Sequence, residues 1–101
     1  MSETVVVRYE TRADAAVENQ RLVQRVFLEL EQAAPEGLRY AAFRLADGVS
    51  FVHVALIEGD DNPLARSAAF AEFQREAGER MIGPLIRADA AVVGSYRFFT
   101  P

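Results

Sequence analysis

Leu38-Arg39-Tyr40-Ala41-Ala42-Phe43-Arg44-Leu45, then Ala46-Asp47-Gly48, then Val49-Ser50-Phe51-Val52-His53-Val54-Ala55-Leu56-Ile57-Glu58 is the stretch whose reading decides the fold. Two runs rich in β-branched and aromatic residues flank Asp47-Gly48. Asp-Gly in that setting reads as a tight hairpin, because both residues tolerate the positive φ of a type I′ turn. The expected strands are Leu38–Leu45 and Val49–Glu58. A two-residue loop at Asp47-Gly48 pairs Arg44 with Phe51, Ala42 with His53 and Tyr40 with Ala55. Alternation then places Tyr40, Arg44, Phe51 and His53 on one face of the sheet.

Each side of the hairpin carries a helix and then a further strand. Thr4-Val5-Val6-Val7-Arg8-Tyr9-Glu10 reads as a strand. Thr11 followed three residues on by Asp14 fits a capping box, so a helix is expected to open near Arg12. Its stripe is Ala15/Ala16, Leu22/Val23, Val26/Phe27, Leu30 and Ala33/Ala34, and Pro35-Glu36-Gly37 ends it. After the hairpin, a second helix starts at Asn62-Pro63 or at Ser67, both good caps. It carries the stripe Phe70, Phe73, Ala77 and Met81 and stops at Gly83-Pro84. A last strand is expected over Ala90–Phe99. The order β-α-β-β-α-β predicts an α+β, ferredoxin-like sandwich: a four-stranded antiparallel sheet, order 4-1-3-2, with both helices on one face.

The strands are apolar on both sides. In the third, Val49, Phe51, Ala55 and Ile57 oppose Val52, Val54 and Leu56; in the fourth, Val92, Tyr96 and Phe98 oppose Ala91, Val93 and Phe99. Helices cover one face only. Burying ~700 Å² of the other is worth on the order of 15 kcal/mol at ~25 cal/mol/Å² before association costs. A face-to-face homodimer is the simplest remedy, since a two-fold axis lets one patch cover its own copy.

Composition narrows the functions. The 101 residues form about one domain, residues 1–101, half apolar and a quarter charged. Eleven Lys+Arg against fifteen Asp+Glu give a net charge of −4 with no basic tract, which argues against nucleic acid and anionic membrane. There is no cysteine, so disulfides and thiol nucleophiles are excluded. One histidine and no cysteine cannot build a typical transition-metal site, and Asp60-Asp61-Asn62 lacks the pattern of a calcium loop. No glycine-rich phosphate loop is present. Met1-Ser2-Glu3-Thr4 has no charged leader region and no apolar run reaches the ~18 residues of a membrane span, so a cytoplasmic protein is expected.

The strand Val5-Val6-Val7-Arg8-Tyr9, the hairpin Phe43 to Val54, the segment Asn62-Pro63-Leu64 to Phe70-Ala71-Glu72-Phe73 and the run Val93-Gly94-Ser95-Tyr96-Arg97-Phe98 together carry a resemblance. Over nearly its whole length the chain resembles the dimeric α/β-barrel superfamily, in its branch of small proteins like the antibiotic biosynthesis monooxygenases. The resemblance implies a homodimer and cofactor-free oxygenation of a small aromatic, phenolic or quinone-type molecule. Haem-degrading members use a helix-borne His, a nearby Trp and an Asn on the first strand. This chain has no Trp, Gln74 near the His position, and Arg8 and Tyr9 where the Asn would be. These departures argue against haem, and no cofactor is expected.

His53 is the only side chain with an ordinary pKa near neutrality, and would act as base, with Arg44 stabilising the resulting anion. Tyr40, Phe51 and Tyr9 would line the substrate pocket, with Phe70 and Gln74 from the second helix; Tyr96 is a further candidate hydroxyl. Asn19 interrupts the apolar stripe, so it either meets water at the stripe's edge or has a buried partner or ligand. Glu72, Arg75, Glu76, Glu79 and Arg80 read as a solvated face, with Arg75/Glu79 and Glu76/Arg80 spaced for weak ion pairs. The alternative to an enzyme is a non-catalytic homodimer that binds a small hydrophobic ligand.

Overall fold

The computed structural model describes residues 2–99. Strand β1 (Ser2–Thr11) leads through a single 3₁₀ turn (Ala13–Ala15) into α1 (Ala16–Ala33). The hairpin β2 (Leu38–Arg44) and β3 (Ser50–Glu58) follows, then a 3₁₀ turn (Pro63–Arg66), α2 (Ala68–Arg75), the four-residue α3 (Ala77–Arg80) and β4 (Met81–Ala90). The sheet runs β2-β3-β1-β4, all antiparallel, the expected order read from its other edge. Among the described residues no helix is long and apolar enough to cross a membrane.

The hairpin register is the expected one: Tyr40 opposite Ala55, Ala42 opposite His53, Arg44 opposite Phe51. The loop is wider than two residues. Gly48 N–H donates to the Leu45 carbonyl, and the Asp47 carboxylate collects the N–H groups of Val49 and Ser50 and the Ser50 hydroxyl. Gly48, at φ +82°, takes the left-handed turn position. Widening the loop by one residue on each side leaves the pairing unchanged.

The ends of the helices show which side chains do the capping. The expected capping box at Thr11 does not form: the Thr11 hydroxyl donates to the Val49 carbonyl, and Asp14 pairs with Arg12. Helix α1 ends where Ala34 turns left-handed and returns its N–H to Leu30, just before Pro35. Asn62 caps the second 3₁₀ turn and Ser67 caps α2, accepting from Phe70 N–H. Glu29 of α1 adds to that cap, accepting from the Ser67 hydroxyl and from Ala68 and Ala69 N–H, which ties the two helices together.

Two expectations about the last third of the chain are overturned. The stripe Phe70, Phe73, Ala77, Met81 does not lie on one helix. The helix breaks at Glu76 (φ −124°, ψ 26°), and Met81 already opens β4. The last strand is therefore Met81–Ala90, not Ala90–Phe99. Gly83-Pro84, read as a helix stop, falls inside this strand where its register with β1 shifts between Arg8 and Glu10. Three β4 residues there face one of β1. On an edge strand such a bulge accommodates the φ +72° of Gly83 and the missing N–H of Pro84 without breaking the sheet. The apolar run after Ala90 is irregular and mostly exposed, Val93 fully so. Its Phe98 and Phe99 rings lie 6.4 and 5.9 Å from Phe43, which brings the tail from β4 at one edge to β2 at the other.

Both helices pack on the sheet face bearing Tyr9, Phe51 and His53. The core there joins Tyr9, Phe51, Leu64 and Phe73 to the α1 stripe Ala16, Leu22, Val23 and Val26. On the opposite face, Val52, Val54 and Leu56 are half-buried, and Ile82 and Ile86 are exposed, Ile86 at 61%. Among the described residues no helix covers this side.

Candidate functional site

β-Alternation and register together set Val5, Val7 and Tyr9 of β1 beside Ala55, His53 and Phe51 of β3, and Ala42 and Tyr40 of β2 beyond them, all on the helix side. Between this surface and α2 lies a cavity of about 440 Å³. Tyr9, Tyr40 and His53 form part of its wall, Phe70, Phe73 and Gln74 come from α2, and Met81, Leu85 and Arg87 from β4. Glu3 also borders it, 3.6 Å from the Arg87 guanidinium. A second depression of about 430 Å³, lined mostly by charged side chains from Arg12 and Asp14 to α1, α2 and α3 and reaching Arg80, lies apart from this cavity.

A row of hydrogen bonds runs behind the cavity wall. The Tyr40 hydroxyl is 2.6 Å from His53 Nδ1, and the Tyr9 hydroxyl is 2.8 Å from His53 Nε2. Asn19 Nδ2 donates to the Tyr9 oxygen at 2.9 Å, and Arg80 Nε donates to Asn19 Oδ1 at 3.0 Å. Arg80 Nη2 also donates to the Phe73 carbonyl at 2.7 Å, and its guanidinium lies 5.2 Å over the Phe73 ring. Tyr9, Phe51, His53 and Phe73 pack ring against ring around the row, at centroid distances of 5.3 to 6.3 Å. No buried side-chain nitrogen or oxygen among the described residues lacks a partner.

Burial sets the protonation states. It lowers His53 from 6.5 to about 4, so the imidazole is neutral at pH 7. It raises Tyr9 to about 12, against the smaller opposing effects of the Asn19 hydrogen bond and the Arg80 charge. Tyr40 is pushed up as well, again by burial. Both phenols therefore keep their protons.

The sequence-expected residues divide accordingly. Tyr9, Tyr40, His53, Phe70 and Gln74 border the cavity. Phe51 stacks behind Tyr9 at 5.5 Å. Asn19 is 0% exposed and faces the sheet, with Tyr9 and Arg80 as buried partners, so of the two alternatives the structure shows the buried one and not the stripe's wet edge. Arg44 lies elsewhere: its guanidinium is held by the Gly48 carbonyl and by Gln20 Oε1, at the hairpin end and off the cavity wall. Tyr96 stands exposed on the tail.

Arg80 is the member of the hydrogen-bonded row that sequence reasoning missed, as it missed Glu3, Leu85 and Arg87 of the cavity wall. Four residues after Glu76, Arg80 reads as half of a solvated pair, yet it is 7% exposed and bonded to Asn19 and Phe73. Because the helix breaks at Glu76, the i,i+4 geometry does not exist and Arg80 turns inward. The one available signal was Asn19, a polar residue on the apolar stripe for which a buried partner was one of two readings. Among the described residues no group of three or more His, Asp or Glu is placed to hold a metal ion.

Comparison with known proteins supports this architecture through structure alone. No family model matches the chain, and no curated protein matches it by sequence. Solved structures do. Rv0793 from Mycobacterium tuberculosis superposes with a TM-score of 0.72 at 20% identity, over 94% of this chain and 98% of its own. A provisionally named antibiotic biosynthesis monooxygenase from Nitrosomonas europaea gives 0.71 at 15% identity, over 91% and 90%. A mutant form of SnoaB, a cofactor-independent oxygenase from Streptomyces nogalater, gives 0.65 at 17% identity, over 93% and 95%. The chain has the fold of the antibiotic-biosynthesis-monooxygenase-like proteins. At these identities the likeness concerns the backbone, and the chemistry has to be argued from the side chains of this chain.

Proposed function

We propose that the protein is a cofactor-independent, monooxygenase-like enzyme of the cytoplasm, acting as a single-domain homodimer on a small phenolic or quinone-type aromatic molecule. The observation that carries this reading is the hydrogen-bonded row Tyr9–His53–Tyr40 in the wall of a cavity otherwise lined largely by apolar side chains. A planar aromatic ligand fits a space of about 440 Å³, and Phe70 and Gln74 would hold its ring and edge. The likeness in fold to a cofactor-independent oxygenase supports the reaction class by analogy.

The chemistry needs no cofactor if the substrate supplies the electrons. In an anthrone-type phenol a CH₂ group lies across the ring from a carbonyl, and loss of one CH₂ proton leaves an enolate whose charge is shared between that oxygen and the now electron-rich carbon. The carbon passes an electron to O₂ and the two combine as a hydroperoxide. Elimination of water then leaves a carbonyl, so CH₂ and O₂ become C=O and H₂O. Four electrons pass from carbon to oxygen, and no external reductant enters. The protein contributes a dry site and a hydroxyl donor for the substrate oxygen. In our reading His53 orients Tyr40 instead of meeting the substrate as its base, because both ring nitrogens are already engaged.

The test is oxygen uptake with 1,8-dihydroxyanthrone, a phenol whose central ring sets a carbonyl across from a CH₂ group. Wild type should accelerate uptake well above buffer, and Tyr40→Phe should lose about 10²-fold, the usual cost of removing one oxyanion donor. Absence of any acceleration by wild type overturns the enzymatic reading. The engagement of both His53 nitrogens favours a second reading in that event, a homodimer that binds the phenol without turning it over.

The sheet face that no helix covers, with Val52, Val54, Leu56, Ile82 and Ile86, supports the homodimer. Light scattering at micromolar concentration should return a two-chain particle, and Leu56→Glu should shift it toward one chain. A one-chain mass for wild type overturns the dimer.

A further inference from the structure

The buried row has a direction. Arg80 stands at the end away from the cavity, and a guanidinium only donates. Asn19 must therefore turn its oxygen to Arg80 and its NH₂ to Tyr9. The Tyr9 oxygen accepts from Asn19, so its own proton has one acceptor in reach, His53 Nε2. A ring nitrogen that accepts carries no hydrogen, so the neutral imidazole carries its hydrogen on Nδ1 and donates it to the Tyr40 oxygen. The hydroxyl proton of Tyr40 is then left over, on a side chain that borders the cavity. The opposite direction would have Tyr9 accept from both Asn19 and His53 and leave its own proton without an acceptor on a side chain only 3% exposed, whereas Tyr40 is only half-buried.

We propose that Arg80 is a positioning residue that locks His53 as the Nδ1–H tautomer and Tyr40 as an outward donor, so that the cavity selects the ionised form of a phenol or enol over its neutral form. The ligand half of this proposal rests on the reading of the cavity as the substrate site; the tautomer does not. A site wired in this direction has no empty ring nitrogen to take the substrate's proton. It receives an oxyanion already formed, and the proton leaves to solvent. Arg87 at the cavity wall adds positive charge in the same sense, partly offset by Glu3 and Asp89, which lie 3.6 and 3.7 Å from it.

His53 is the only histidine, so ¹⁵N-labelled protein gives one imidazole spin system. Long-range ¹H–¹⁵N spectra at neutral pH, without ligand, should show Nδ1 protonated and Nε2 bare, the reverse of the form that free histidine prefers in water. Asn19→Asp should flip it. A carboxylate accepts from both Arg80 and Tyr9, so Tyr9 then receives Nε2–H, and Tyr40 donates into Nδ1. If that variant does not fold, Tyr9→Phe cuts the row and should also restore the Nε2–H form. An Nε2–H ring in wild type overturns the proposal, as does a ring that stays Nδ1–H in the folded variant.

The ligand arm uses 4-nitrophenol, whose phenol and phenolate differ in absorbance. Wild type should bind the phenolate at least about tenfold tighter than the phenol, and Tyr40→Phe should lose that preference while keeping the Nδ1–H ring. Equal binding of the two forms overturns the selectivity. A wild-type ring in the Nδ1–H form with no binding of 4-nitrophenol overturns the ligand half and the site reading beneath it, while the direction of the row stands.

Discussion

Acidification from about pH 8 to about pH 5 is expected to remove roughly 2 kcal/mol of folding stability, with His53 as the responsible group. Its ordinary value is 6.5 and burial lowers it to about 4. Between those values the unfolded chain takes up a proton that the folded chain refuses. Stability is therefore fully present above about pH 6.5 and declines as pH falls toward 4. Each unit of the gap is worth ~1.4 kcal/mol, so most of the loss to about pH 5 comes from this one ring. Carboxylates held low by hydrogen bonds, Glu29 by Ser67 and Asp47 by Ser50, contribute with the same sign. Their losses begin only near the ordinary carboxylate range, below this window. Urea unfolding at fixed protein concentration, repeated across the window, measures the slope. His53→Gln should flatten it. An equal slope in wild type and variant removes His53 as its source.

The second large effect is expected at Arg80. Arg80→Leu should cost about 3 kcal/mol, because two charge-assisted hydrogen bonds disappear and leave Asn19 Oδ1 and the Phe73 carbonyl buried without a donor. The lost stacking over Phe73 adds to this. In a domain with a total of ~5–15 kcal/mol such a loss is plain in an unfolding curve. Arg80→Lys keeps the charge but loses the fork that reaches two acceptors at once, so an intermediate loss is expected. A leucine variant as stable as wild type would mean that the guanidinium is not buried as described, and the direction of the hydrogen-bonded row would lose its origin.

Part of the candidate site is legible in the sequence. Asp47-Gly48 sets the hairpin register, and the register puts Tyr40 and His53 on the helix-covered face with Phe51. The polar interruption at Asn19 leaves two readings open, water at the stripe's edge or a buried partner, and only the fold chooses the second. The same pattern draws in Arg44 wrongly as a neighbour of the cavity. Its position on that face is right, but a long side chain at the end of a strand goes where its acceptors are, and those are Gly48 and Gln20.

Local chemistry determined the order β-α-β-β-α-β, the pairing of β2 with β3 and a sheet apolar on both sides, because alternation, turn residues and caps act over a few residues and need no distant partner. The place of β4 was decided only in three dimensions. Met81–Ala90 and Ala90–Phe99 are both apolar enough for a strand, and the choice fell to the one that pairs with β1 while leaving Gly83-Pro84 at an edge bulge. Arg80 was decided there too: a charged side chain after a helical run belongs in water unless the helix stops short and the core holds acceptors for it, and both conditions are properties of the assembled fold.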